Sequence, residues 1–156
     1  MKFATLLYIK NSKGEYLLLE RLQEPNLGLF SPPGGKLHIE DAESPFACAV
    51  REAEEECGIK SQPSDWHLKG IVTEKNYPKV GHIMLFLFEY KKDFNELPAA
   101  FKEGKFHFVH PSKFEDIEFP ETDKLYFWKF VLNNDNFFSL SIDCSNSPYL
   151  CNVEVK

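Results

Sequence analysis

The run Gly34 to Ile59, GGKLHIEDAESPFACAVREAEEECGI, constrains this chain more than any other segment. Ser44 stands where a helix cap is expected, Pro45 suits the first helical position and Gly58 suits the position just past the end, so the spacing predicts a helix over 45–57. Phe46, Val50, Ala53 and Cys57 recur at spacings of four, three and four, which lays one apolar stripe along that helix. The opposite side is acidic. Glu52, Glu55 and Glu56 fall at i, i+3 and i+4, so three carboxylates share one face about a turn apart. Like charges so placed repel. A solvated acidic face is the ordinary outcome of such a run; the alternative is that hard, oxygen-seeking Mg²⁺ or Mn²⁺ neutralises it beside substrate phosphates.

The residues around the acids decide between these readings. Arg51 to Ile59 fits R-E-U-x-E-E-x-G-U, where U is apolar, Glu43 precedes Arg51 by seven intervening residues, and Gly34-Gly35-Lys36 opens the segment. The segment resembles the Nudix box at every named position. The resemblance implies an α+β chain with the Nudix fold, a mixed β-sheet sandwiched between α-helices (α/β/α), and a hydrolase acting on a nucleoside diphosphate linked to another moiety. It implies Mg²⁺, or Mn²⁺ in its place, held by Glu52, Glu55, Glu56 and the carbonyl of Gly34. Arg51 is then structural, paired with Glu43 or with Glu55, while Lys36 and Arg21 are the expected phosphate contacts. The group that takes the proton of the attacking water stays open among Glu55, Glu56 and the later Glu103. One departure stands out: seven residues separate Gly35 from Glu43, where the family has five, and the extra length falls within His38 to Ala42.

The rest of the chain supplies the frame. Its 156 residues suit one domain, expected over 1–156. Phe3 to Ile9 and Glu15 to Glu20 read as a hairpin joined by KNSKG, followed by strand-like runs at 67–74, 82–90 and 106–110. A second helix is expected from a Thr122 cap to about Asn133, with Leu125, Trp128 and Leu132 on one face, before a closing strand pair at 137–142 and 149–155. A net charge of −6 disfavours a nucleic-acid polymer as partner, because such partners require clustered Lys and Arg. The longest apolar runs are too short to span a bilayer and the N-terminus lacks the pattern of a signal peptide, so a cytoplasmic protein without a membrane partner is expected. Cys48, Cys57, Cys144 and Cys151 stand singly and read as buried or idle thiols. Oligomeric state is not legible.

Substrate choice rests on the pieces outside the box. Phe119-Pro120-Glu121-Thr122-Asp123 ahead of a helix, then two closing strands, is similar to the branch that hydrolyses oxidised purine nucleoside triphosphates such as 8-oxo-dGTP. In that reading Phe119 stacks on the base, Glu121 or Asp123 meets its edge, and Phe30 and Ser31 form the opposite wall. An acid-rich helix start explains the same residues without a ligand. Three functions remain in competition: a triphosphate pyrophosphohydrolase releasing monophosphate and pyrophosphate, a hydrolase of a sugar nucleotide or dinucleotide, and a non-catalytic nucleotide sensor. The last has no need of three glutamates in register.

Overall fold

The computed structural model describes residues 1–24 and 26–156. Eight strands form two sheets: β1 (Lys2–Tyr8), β2 (Tyr16–Arg21), β3 (Phe30–Ser31), β4 (Trp66–Tyr77), β5 (Gly81–Tyr90), β6 (Gly104–Val109), β7 (Phe138–Asp143) and β8 (Leu150–Val155). The larger sheet runs β1-β5-β4-β7-β8 and is mixed, with β1 parallel to β5 and β4 parallel to β7; the smaller runs β3-β2-β6 and is antiparallel. The expected closing pair is present as β7 and β8.

The expected first hairpin holds only at its turn. Asn11 N–H donates to Glu15 O and Leu17 N–H to Ile9 O, but beyond that point the two strands part. The reason is competition for edges: β1 pairs with β5 along its whole length, whereas β2 takes β6 on one side and β3 on the other. Each satisfies its backbone in a different sheet.

Helix α1 (Pro45–Cys57) follows its punctuation closely. The Ser44 side chain accepts from Ala47 N–H, and Gly58, at φ 71°, returns its N–H to the carbonyls of Ala53 and Glu54. Ala49, Ala53 and Cys57 are buried with Leu7, Leu19, Phe88 and Phe106, and Phe46 meets Phe88 edge to face at 4.8 Å. This is the core on one side of the larger sheet. On the other side Leu18, Val72, Leu85, Leu140 and Ile142 pack against Phe127, Trp128 and Val131.

The second helix is already helical at 121–122, where Thr122 makes no side-chain cap bond, and continues through one wide π turn (Asp123–Phe127) into α2 (Trp128–Asn133). That extra residue in the turn rotates the inward stripe, so Asp123, Phe127, Trp128, Phe130 and Val131 are buried while Leu125 and Leu132 face solvent, contrary to the expected face. Cys48, Cys57 and Cys144 are buried and Cys151 half-buried; all four are free thiols. No helix among the described residues is long and apolar enough to cross a membrane.

Candidate active site

The glycine loop is fixed by the outer edge of β1. Leu7 N–H donates to Pro33 O, Thr5 N–H to Gly35 O and Leu37 N–H to Phe3 O, so residues 33–37 close a strand edge that would otherwise stay open. Two glycines make the approach possible. A Cβ on Gly34 would sit 2.1 Å from the carbonyl oxygen of Thr5, and one on Gly35 would sit 2.3 Å from Glu52 Oε1. The loop backbone and the acidic helix therefore touch, as Gly34 N–H also donates to Glu56 Oε1 at 3.1 Å.

Arg51 organises the carboxylates. Its Nε and Nη2 reach Glu43 at 2.7 and 2.8 Å, its Nη1 reaches Glu52 at 2.8 Å and Glu55 at 3.2 Å, and Nη2 also donates to Lys36 O. The sequence left Glu43 and Glu55 as alternatives; the guanidinium fork binds both and adds Glu52. It holds the Glu43 carboxyl down at about 2 and raises its own proton affinity. The Glu43 carboxylate also accepts from His38 N–H, so the lengthened loop is tied back to the helix through this one side chain.

Glu52 and Glu56 behave differently. Burial pushes Glu56 up to about 8 and moves Glu52 upward as well, and their carboxyls hydrogen-bond to each other. Two oxygen-only acids drawn together in a half-dry cleft fit a divalent cation, which would supply the missing positive charge. Among the described residues no three His, Cys, Asp or Glu side chains form a closed metal cage. Glu55, with its side chain 59% exposed and pinned by Arg51, is the carboxylate held apart from the pair.

A cleft of about 1430 Å³ starts at these acids, passes the glycine loop and continues to the far side of β1. Arg21, Ser31, Gly34, Lys36, Glu103 and Asp123 all line it, and Arg21 Nη1 lies 3.9 Å from Glu103 Oε2. Three expected residues lie elsewhere. Phe119 is buried in the core with Phe114 at 5.1 Å and Trp128 at 5.7 Å, Phe30 packs on His107 at 5.4 Å, and Glu121 is exposed outside the cleft. Phe119 follows its neighbours because it sits before the π turn, where the chain is anchored in the aromatic cluster of Tyr16, Phe114 and Trp128.

Glu74 also lines the cleft, although no motif singles it out. A signal was present. Val72 and Glu74 share the inward phase of β4, so a Glu occupies a position where strand alternation calls for an apolar residue.

A family model described as NUDIX domain matches residues 2–138. Among solved structures, the chain is similar to a MutT protein from Bacillus halodurans, with 24% identity over 97% of this chain and 98% of that one and a TM-score of 0.77. A MutT protein from Methanosarcina mazei Go1 matches at 26% identity over 86% and 96%, TM-score 0.70. The NUDIX domain of Shewanella oneidensis NrtR, solved with ADP ribose, matches at 15% identity over 83% and 84%, TM-score 0.64. The fold, the carboxylate-bearing helix and the match over most of its length agree: the chain belongs to the Nudix family and is a hydrolase acting on phosphoanhydride bonds.

Proposed function

We propose that the chain is a Mg²⁺-dependent nucleoside triphosphate pyrophosphohydrolase that releases a nucleoside monophosphate and pyrophosphate, with an oxidised purine nucleotide such as 8-oxo-dGTP as the favoured substrate. One observation carries this reading: a single cleft is lined both by the Nudix carboxylates and by two buried acids, Glu74 and Asp123, that stand beside Leu85 and Phe127. A phosphate chain and a base require such opposite surroundings.

In this reading Glu52, Glu55, Glu56 and the carbonyl of Gly34 hold Mg²⁺, with Mn²⁺ able to replace it. When bound, the ion screens the charge on the phosphoryl oxygens and acidifies a water ligand. Arg51 and Glu43 keep the helix carboxylates and the glycine loop in fixed relation. Lys36 and Arg21 contact phosphate oxygens from opposite sides of the cleft. Water bonds to phosphorus as the anhydride bond breaks, and its proton passes to Glu55, Glu56 or Glu103, each of which lines the same cleft. The residues Gln23, Asn26 and Ser31 at its rim offer side chains for the sugar.

A hydrolase of a sugar nucleotide or dinucleotide is the second reading. Two observations favour it: the lengthened loop at Leu37, His38 and Glu40 adds lining to the phosphate end, and a structural relative holds ADP ribose. The sensor reading is weaker because the three helix glutamates are held in register, Glu52 and Glu55 by Arg51 and Glu56 by the Gly34 N–H. A phosphate-release panel over oxidised and normal nucleoside triphosphates, ADP ribose and dinucleoside polyphosphates, with Mg²⁺ and with chelator, separates all three. Turnover of ADP ribose well above every triphosphate refutes the proposal.

A further inference from the structure

Strand β1 turns its residues alternately to the two sides of the larger sheet. Ala4, Leu6 and Tyr8 join the core beneath the second helix, whereas Leu7 and Ile9 pack toward α1. Thr5 shares the phase of Leu7 and Ile9, so a hydroxyl stands where this side of the strand is otherwise aliphatic. It is 1% exposed and lies against the wholly buried Cys48 of α1, with Oγ1 and Sγ 3.7 Å apart. If Thr5 served packing alone, a Val would fill the same space without a polar atom to satisfy.

Both polar groups are spent on one residue of the glycine loop. Gly35 N–H donates to Thr5 Oγ1 at 3.4 Å, and the Gly35 carbonyl accepts from Thr5 N–H at 2.8 Å, from the Thr5 hydroxyl at 3.3 Å and from the Cys48 thiol at 3.6 Å. Across a trans peptide the N–H and the preceding C=O point opposite ways. The Gly34–Gly35 bond is trans, so with Gly35 N–H turned in toward Thr5 the Gly34 carbonyl turns out toward the cleft that Gly34 lines. No hydrogen bond reaches that carbonyl among the described residues. Its neighbours are the acids of α1, since Gly34 N–H donates to Glu56 and Gly35 abuts Glu52.

A peptide between two glycines has no flanking side chain to bias its orientation, so it flips more readily than any other and holds one direction only when pinned. We propose that Thr5 is a positioning residue for the metal site: its hydroxyl captures Gly35 N–H and so directs the Gly34 carbonyl into the cleft beside Glu52 and Glu56, with Cys48 a lesser support through the Gly35 carbonyl. The inference rests on the reading of Gly34 as a ligand of the divalent cation. Thr5 itself touches neither ion nor substrate; it acts through the loop peptide.

The test is Mn²⁺ binding, followed by the electron paramagnetic resonance of the free ion, for the parent, Thr5→Val, Thr5→Ala, Thr5→Ser and Cys48→Ala. Each protein is also melted in chelator, and exchange of its Gly35 amide proton is followed by NMR. Loss of a group that orients a ligand weakens metal binding roughly 10–100-fold, so the Mn²⁺ dissociation constant should rise at least about tenfold in Thr5→Val and Thr5→Ala. Gly35 N–H should exchange faster in both, with no metal present. Thr5→Ser keeps the hydroxyl and should bind Mn²⁺ within about threefold of the parent, as should Cys48→Ala, which leaves the Gly35 N–H bond in place. Thr5→Ala serves if Thr5→Val does not fold. An affinity unchanged within about twofold in the hydroxyl-free variants overturns the inference and leaves the metal reading standing. An equal loss in Thr5→Ser or Cys48→Ala also overturns it, because disturbed packing and not the hydroxyl would then be the cause. A parent that binds no Mn²⁺ even at millimolar concentration removes the metal reading, and the inference with it.

Discussion

Replacing Glu74 by Gln should stabilise the metal-free protein at alkaline pH and do so in a pH-dependent way. The Glu74 carboxyl rises from 4.5 to about 7 because burial disfavours its charged form, and the bond to Thr122 offsets only part of that. Below pH 4.5 the group is protonated in the folded and unfolded chain alike and costs nothing. As pH climbs from there toward 7 the unfolded chain ionises first, so stability falls; above about 7 both forms are ionised and the penalty is level. At 1.36 kcal/mol per pKa unit, the full penalty is about 3 kcal/mol, a ceiling because the cleft admits water. The amide carries no charge, and its own need for a partner, about 1–3 kcal/mol, is the same at every pH.

The signature is therefore the slope of the difference and not its offset. With roughly 2–4 °C per kcal/mol for a domain of this size, the variant's melting temperature relative to the parent should rise between pH 4.5 and pH 8.5, with a ceiling of about 6–12 °C. Relief of Asp123, which carries the repulsion between the two acids, adds in the same direction. The assay is a series of thermal melts in chelator-containing buffers, parent and variant side by side, so that every other titration cancels. A difference that is flat with pH, or that falls as pH rises, refutes the reasoning: Glu74 would then be solvated or already paired in the folded protein.

Other outcomes follow from the phosphate end and the core. Glu56→Gln should fold and lose at least about a hundredfold in turnover; parental turnover would sink the metal assignment. Gly35→Ala places a Cβ 2.3 Å from Glu52 Oε1, so a Mg²⁺ titration of activity should shift to higher metal with little change in melting; an unshifted titration means that Glu52 is not a ligand. Glu43, held at about 2 by Arg51, contributes stability above pH 4.5 that is lost as pH falls toward 2, and Glu43→Gln should flatten that acid limb in melting experiments. Phe119→Ala should cost about 3–5 kcal/mol in denaturant unfolding while leaving the base preference of the folded enzyme alone; an altered preference without lost stability would return Phe119 to the cleft.

What could be read from the sequence divides along a physical line. Features with a short period or a fixed spacing were legible: the cap at Ser44, the stop at Gly58, the carboxylates at i, i+3 and i+4, and the alternating strands. Their causes are local, so twenty residues of context suffice. The Arg51 fork was half legible, since spacing alone left Glu43 and Glu55 as rivals and only the folded loop shows one guanidinium serving both and Glu52. Pairing across long separations was not legible. Nothing in Phe3 to Glu20 says that β1 will leave its neighbour for a parallel place beside β5. The π turn escaped for a related reason. One added residue changes which of Asp123, Leu125, Phe127 and Leu132 face inward, and a stripe counted at 3.6 residues per turn cannot register it.

The same turn accounts for the form of the cleft. A regular helix begun at Thr122 would have spread its acids over the solvent side, where a helix N-terminus favours them. The wider turn instead directs Asp123 and Phe127 into the cleft opposite β4, at the cost of burying a carboxyl among aromatic rings. Glu74 imposes the same cost from the sheet. Each departure alone would be a local defect, removable by an apolar residue of similar size. Because both occur across one cleft, with their open oxygens on side chains that line it, a ligand bearing complementary polar groups turns two unfavourable burials into paired ones. The phosphate end follows the same logic with charge in place of hydrogen bonds: Glu52 and Glu56 are crowded together in a half-dry site whose remaining requirement is a cation. Two of the fold's unpartnered polar burials and its crowded helix carboxylates thus lie along one cleft, where a metal-bound nucleotide of the proposed kind would relieve both.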